Sequence, residues 1–185
     1  MKKILSALVC FLCIFIFSNV LATSLKSDPQ KSSISATFKQ LGVPIDLKFK
    51  RFTTNINFDE KKLSTSKASI DIDIQSADLG DAQYNKEVLK KEWFNAAAFP
   101  KASFTSTSIT ATAPNKFAVT GTLSIKGKST PVRFFLTTKT QGTQKIFEGD
   151  LPIQRLTYKI GEGEWADTSM VEDTVVIHFH LYTTP

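Results

Sequence analysis

The sequence predicts an all-β fold: a single antiparallel barrel of about eight strands with one short helical crossover. Three observations carry this. Period-two alternation of apolar and polar residues recurs from Ile34 almost to the end of the 185 residues. Turn signals at Asn115, Gly127-Lys128 and Gln141-Gly142 separate the alternating runs. Only the interval from about Asp81 to Phe94 shows helical spacing.

The chain opens with Met1, Lys2 and Lys3, followed by an apolar run from Ile4 to Phe17 broken only by Ser6. Val20-Leu21-Ala22 then offers residues suited to a signal peptidase. This is the three-part pattern of a secretory signal peptide, and the run is too short to span a bilayer. The expected organisation is therefore 1–22 as a signal peptide cleaved after Ala22, 23–32 as a mobile N-terminal lead, and 33–183 as the barrel. The only cysteines, Cys10 and Cys13, leave with the signal peptide. A domain of this size can bury a sufficient core without disulfides. The expected location is periplasmic or secreted.

Along the barrel, Ile34, Ala36 and Phe38 share one face, and Ile45, Leu47 and Phe49 repeat the pattern. Apolar positions then turn even-numbered at Phe52, Ile56 and Phe58. A parity change inside one extended run predicts a bulge or sharp bend near Lys50-Arg51, as barrel closure requires. Ala68 to Ile74 is the clearest half-buried strand. In the helical interval Val88, Leu89 and Trp93 can face inward, and Asn95 to Pro100 closes it. Strands resume at Ser103–Ile109, Lys116–Lys126 and Thr130–Thr140. Phe147, Leu151 and Ile153 alternate next, and Val175, Ile177, Phe179 and Leu181 form the last strand.

Composition narrows the function classes. With 42% hydrophobic and 22% charged residues, collagen-like, coiled-coil and disordered chains are excluded. Fifteen Phe against three Tyr and two Trp imply a dense core or a lined apolar cavity, and the residues alone leave both open. The formal charge is +6, but lysines alternate with acids and no basic run carries interleaved aromatics, so nucleic acid is not an expected partner.

Chemistry-bearing residues are few. Arg155 follows Leu151 and Ile153 at spacing two, which aims it at their apolar face. A phosphate or carboxylate head group could meet it there, as could an internal acid among Asp150, Glu164 and Asp167; an early strand end would leave it in water. Tyr158 and Trp165, each with an apolar body and a polar tip, could close a cavity mouth. Glu162, Glu164 and Asp167 could be paired carboxylates, but a Gly-flanked turn favours plain solvation. His178 and His180 lie opposite the apolar face without a third ligand of telling spacing, so no metal is expected. No Ser-His-Asp string, phosphate loop or Rossmann glycine pattern occurs.

Four strings resemble the YceI-like family of polyisoprenoid-binding proteins. They are Phe38-Lys39-Gln40-Leu41-Gly42-Val43, Trp93-Phe94-Asn95-Ala96-Ala97-Ala98-Phe99-Pro100, Val119-Thr120-Gly121-Thr122-Leu123-Ser124-Ile125-Lys126-Gly127, and Tyr158-Lys159-Ile160-Gly161-Glu162-Gly163-Glu164-Trp165. Gln40 departs from a His frequent in the family, and Lys48 from a Gly. The resemblance implies an extended lipocalin-like antiparallel barrel with an elongated apolar tunnel. Such tunnels hold a polyprenyl chain or a similar amphiphile, such as a quinone tail or fatty amide. The candidate lining is Phe38, Leu41, Val43, Phe52, Ile72, Phe94, Phe99, Phe104, Leu123, Phe134, Ile153 and Ile160, with Arg155, Tyr158 and Trp165 as polar contacts. An ordinary core needs the same apolar residue types. The expected protein is a carrier rather than an enzyme, with no catalytic residues and no required cofactor; an isoprenoid or quinone-like lipid is its ligand. The alternative is a small isomerase or hydrolase using Arg155, Glu162 and Glu164. Expected partners are the amphiphilic lipid, transient contact with a membrane surface and, through an unpaired edge strand, a homodimer.

Overall fold

The structure, a computed structural model, describes residues 25–184; the segment 1–22, expected as a signal peptide, lies outside them. Eleven strands make one antiparallel sheet: β1 (Lys26–Ser27), β2 (Ser33–Gln40), β3 (Val43–Phe49), β4 (Phe52–Asn57), β5 (Lys67–Asp73), β6 (Ala77–Asp78), β7 (Lys101–Ala113), β8 (Lys116–Ile125), β9 (Lys128–Gln141), β10 (Gln144–Gln154) and β11 (Thr174–Thr184). The hydrogen-bonded order is β4-β5-β7-β8-β9-β10-β11-β2-β3-β6, with β1 added on β11. The chain itself joins the two ends of this path. β4 continues β3 across Lys50-Arg51, and β6 continues β5 across a 3-10 turn, Ile74–Ser76. The sheet thereby curls round into a barrel.

More strands form than the eight expected because bends cut two long strands in half and residues 26–27 add a short one. The bend after Phe49 sits where the parity of apolar residues changes: Leu47 and Phe49 are buried before it and Ile56 after it. Ser76 stitches the bend, accepting from Lys50 N through its carbonyl (3.2 Å) and from Arg51 N through its hydroxyl (3.0 Å). Residues 25–32, expected as a mobile lead, are instead tied into the sheet. Leu25 exchanges backbone bonds of 2.7 and 3.1 Å with Ile56, and Asp28 N donates to Tyr182 O at 2.7 Å.

One helix, α1 (Ala82–Val88), crosses between β6 and β7. Asp81 caps it, its carboxylate accepting from the Gln83 and Tyr84 amides. It stops earlier than the spacing predicts because the chain folds back on itself. Phe94 N donates to Val88 O and Ala96 N to Leu89 O, and this return buries Val88, Phe94 and Ala96. Gly121 of β8 is a packing requirement. A Cβ there would lie 2.5 Å from the Phe104 ring and from Thr105 O, so its absence lets Phe104 lie flat on the inner wall.

Asp78 anchors this crossover to the bend. Its carboxylate takes Lys50 Nζ at 2.7 Å, Asn85 Nδ2 at 2.8 Å and Gly80 N at 3.1 Å. Those partners, Lys50 first, lower its pKa from 3.8 to about 2. A lowered folded-state pKa stabilises the fold above 3.8, and that stability is lost as pH falls toward 2. Asp78→Asn should therefore lower stability at neutral pH and flatten its fall between pH 4 and 2, measured by urea denaturation across that range; an unchanged acid limb would contradict the assignment.

Candidate functional site

The barrel is hollow. One cavity of about 1500 Å³, open space included, runs through the interior, walled by residues from every strand except β1 and β6. Its wall is almost wholly apolar, with Ile34, Phe49, Ile70, Phe104, Leu136 and Ile177 among its residues. Strand alternation puts these side chains inside and their polar neighbours outside. The phenylalanines do not fill the space because they pack along the wall edge to face. Phe134 sits 5.4 Å from Phe104 and 5.5 Å from Phe179, both at steep angles.

The two ends differ. At one, Phe58 forms a plug, its ring 5.1 Å from Phe117 and 5.2 Å from Phe147, each nearly perpendicular. Lys145, paired with Glu60, lies over the Phe58 ring at 5.2 Å. The other end is a collar built from residues 79–100, the β8–β9 turn and the segment 155–173. Two buried cations hold it. Arg155, 1% exposed, donates to five backbone carbonyls: Val171 (2.7 Å), Ile160 and Trp165 (2.8 Å each), Glu172 (3.1 Å) and Gly161 (3.2 Å). Those are all the N–H groups a guanidinium has. Burial lowers its pKa, with the Asp173 charge opposing. Gly161 is fixed by the same group: its φ is +77° and a Cβ would collide with the Arg155 guanidinium. Lys126 is the second hub. Its ammonium donates to Lys159 O (2.6 Å), Lys91 O (2.8 Å) and the Glu162 carboxylate (2.9 Å). That contact first, and the neighbouring lysines after it, hold Glu162 below the usual carboxylate range.

Of the candidate lining residues, Phe38, Ile72, Phe94, Phe104, Leu123, Phe134, Ile153, Arg155 and Ile160 are on the cavity wall. The others are elsewhere. Leu41 and Val43 are 66% and 61% exposed, because Leu41 and Gly42 form the β2–β3 turn with φ of 51° and 78°, which carries their side chains off the barrel. Phe52 packs on the core beside the wall. Phe99 lies beneath Gly127 in the β8–β9 turn. Tyr158 is buried in the collar, its hydroxyl bonded to Thr130, and burial raises its pKa. Trp165 packs on Trp93, their ring centroids 5.4 Å apart and their planes tilted by 47°. It is Trp93 that lines the cavity, although the sequence marked it only as inward-facing.

Arg155 bonds backbone carbonyls rather than an acid side chain, and although β10 ends at Gln154 as one alternative had it, the side chain is buried rather than in water. Glu162 serves Lys126, and Glu164 is exposed, so the polar trio of the enzyme reading is not assembled. On the outer face His178 bonds Asp150 at 2.6 Å and Thr37 at 3.1 Å, and His180 reaches Glu148 at 3.3 Å. Among the described residues no cluster of three acids, histidines or cysteines could hold a metal ion.

Comparison with known proteins places this geometry. A family model described as a YceI-like domain matches residues 25–183. The UPF0312 protein plu2095 of Photorhabdus laumondii is 32% identical over 135 residues, 71% of this chain and 70% of that protein. The crystal structure of Burkholderia cenocepacia BcnA has a TM-score of 0.84 at 44% identity, covering 85% of this chain and 99% of that one. A polyisoprenoid binding domain from Saccharophagus degradans, implicated in plant cell wall breakdown, has a TM-score of 0.69 at 17% identity, covering 86% of this chain and 97% of that one, and so shares the fold.

If Arg155 holds the collar, Arg155→Met leaves five carbonyls without their donor and costs several kcal/mol, at about 1–3 kcal/mol for each buried one. Arg155→Lys, with three N–H groups, falls between. Urea unfolding measures both; a loss under 1 kcal/mol for Arg155→Met would show the collar held by other contacts.

Proposed function

This chain belongs to the YceI-like family, and from that premise we propose that it is an exported carrier that shelters one long-chain isoprenoid or similar amphiphile, with a polyprenyl, quinone or fatty-amide character, inside its barrel. The observation that carries the reading is the hollow bore itself. The bore is walled almost wholly by apolar side chains drawn from nine of the eleven strands. It runs the length of the barrel, and a long chain fits such a shape better than a compact solute.

The apolar wall supplies the driving force. Water in such a void finds too few polar partners to be held. A hydrocarbon chain entering it leaves water at about 25 cal/mol per Å², so about 600 Å² of tail returns about 15 kcal/mol. Association costs start at about 4 kcal/mol, so binding needs no strong polar contact and no reaction. The ligand is cargo, and no further cofactor is called for. The Saccharophagus degradans domain, named for polyisoprenoid binding, supports the same cargo class. Export to the periplasm or beyond rests on the leader-like pattern from Met1 to Ala22.

The test is direct. Protein purified without detergent and extracted into organic solvent should release one prenyl or acyl species per chain by mass spectrometry, and delipidated protein should rebind a polyprenyl or quinone ligand. Ala68→Phe, placed on the wall, fills part of the bore and should cut ligand stoichiometry at least fivefold while thermal stability holds or rises. Empty protein that refuses added ligand would end the carrier reading.

A further inference from the structure

The two ends of the bore are held by different kinds of bond. At the collar, Arg155 and Lys126 are buried and donate to backbone carbonyls. Parting that end strips buried groups of their partners. At the plug, the mouth is covered by the β4–β5 connection, residues 58–66. Its two ends lie side by side, because Asn57 and Lys67 are ladder partners, as in a compact surface loop that packs on itself.

This loop is a self-contained unit. Lys62 N donates to Asp59 O (3.0 Å), Thr65 N to Lys62 O (3.1 Å) and Ser66 N to Leu63 O (3.1 Å). The buried Ser66 hydroxyl accepts from Asp59 N at 3.0 Å. The base of the loop is fastened to β7: Lys67 Nζ donates to Thr107 O at 3.2 Å and Ala68 N to Ser106 Oγ at 2.8 Å. Its far edge meets β8 and β10 through side chains. Phe58, the loop's residue on the cavity wall, sets its ring against Phe117 and Phe147, and Glu60 pairs with Lys145 of β10. Among the described residues that pair is the loop's one hydrogen bond to anything beyond itself. A rigid loop with a fastened base and a side-chain catch at its edge can swing as one piece. Ring contacts and a half-exposed ion pair resist that movement less than buried carbonyl bonds do.

We propose that residues 58–66 are a hinged flap over one mouth of the bore, with the Phe58 ring as its stopper and the Glu60–Lys145 ion pair as its latch, and that cargo enters and leaves at this end. This rests on the carrier reading and deepens it by assigning the control of cargo exchange. Neither Glu60 nor Lys145 is on the cavity wall, so the latch governs how fast cargo passes and not how tightly it is held.

Menaquinone with a four-prenyl tail is the probe. Its quinone quenches tryptophan fluorescence, and Trp93 on the wall reports its arrival; excess phosphatidylcholine vesicles collect it on release. Stopped-flow rates for Lys145→Met and Glu60→Gln should each show entry and exit about two- to fivefold faster than wild type, with the dissociation constant unchanged within about a factor of two. Salt should speed exchange in the wild type, where it screens the latch, and not in these variants. The charge-swapped Glu60→Lys/Lys145→Glu should return both rates toward wild type, which general damage to the fold would not allow. Unchanged rates in the latch variants, rates that rise only in the collar variant Lys126→Met, or a latch effect confined to the dissociation constant would overturn the inference and leave the carrier reading standing. Menaquinone that binds neither the delipidated wild type nor any variant would remove the carrier reading and this inference with it.

Discussion

Five carbonyls converge on one guanidinium, and one end of the barrel is organised around that point. The segment from Arg155 to Asp173 contains two 3-10 turns and no long ladder. Its carbonyls at 160, 161, 165, 171 and 172 turn inward, where each needs a donor. Arg155 supplies all of them from a single planar fork. Lys126 repeats the device on a smaller scale and links the segment to residues 91 and 92, whose return loop brings Trp93 and Phe94 to the wall. Buried charge here serves architecture: it lets irregular backbone close round the rim without a filled core beneath it.

The hollow interior follows from a second constraint, the way aromatic rings meet. Phenylalanines that lay across the bore would fill it. Here Phe104, Phe134 and Phe179 join edge to face along the wall, and Phe58, Phe117 and Phe147 gather at the plug. Gly121 gives the Phe104 ring room to lie against the sheet. The phenylalanine-rich composition is thus spent on lining and plugging. The cavity that remains is almost wholly apolar.

Much of this was legible in the sequence. Alternation reported which side chains face inward along β2, β5, β10 and β11, and the parity change at Lys50-Arg51 located a bend. Arg155 was legible as an inward charge from its spacing behind Ile153. Its partners were not, because backbone carbonyls carry no sequence signal and these lie 5 to 17 residues away. Leu41 and Val43 were misplaced for a local reason: alternation does not extend through a turn in which Leu41 takes positive φ. Phe99 was misplaced because a tertiary contact, the floor of the Gly127 turn, claims it. Trp93 was underrated because the return loop that carries it to the wall is a tertiary arrangement, and no spacing rule contains it.

Sheet, collar and plug together describe a container: a closed wall that sets the bore, a rim fixed by cations that contribute no free charge to it, and a far end stopped by rings. The most direct test follows one bound chain. A carbon-13-labelled prenyl ligand in the delipidated protein should show NMR contacts to the methyl groups of Ile160 at the collar and of Ile109 near the plug within a single one-to-one complex. Contacts restricted to the outer surface, or Ile109 and Ile160 methyls packed against each other across a collapsed interior, would contradict it.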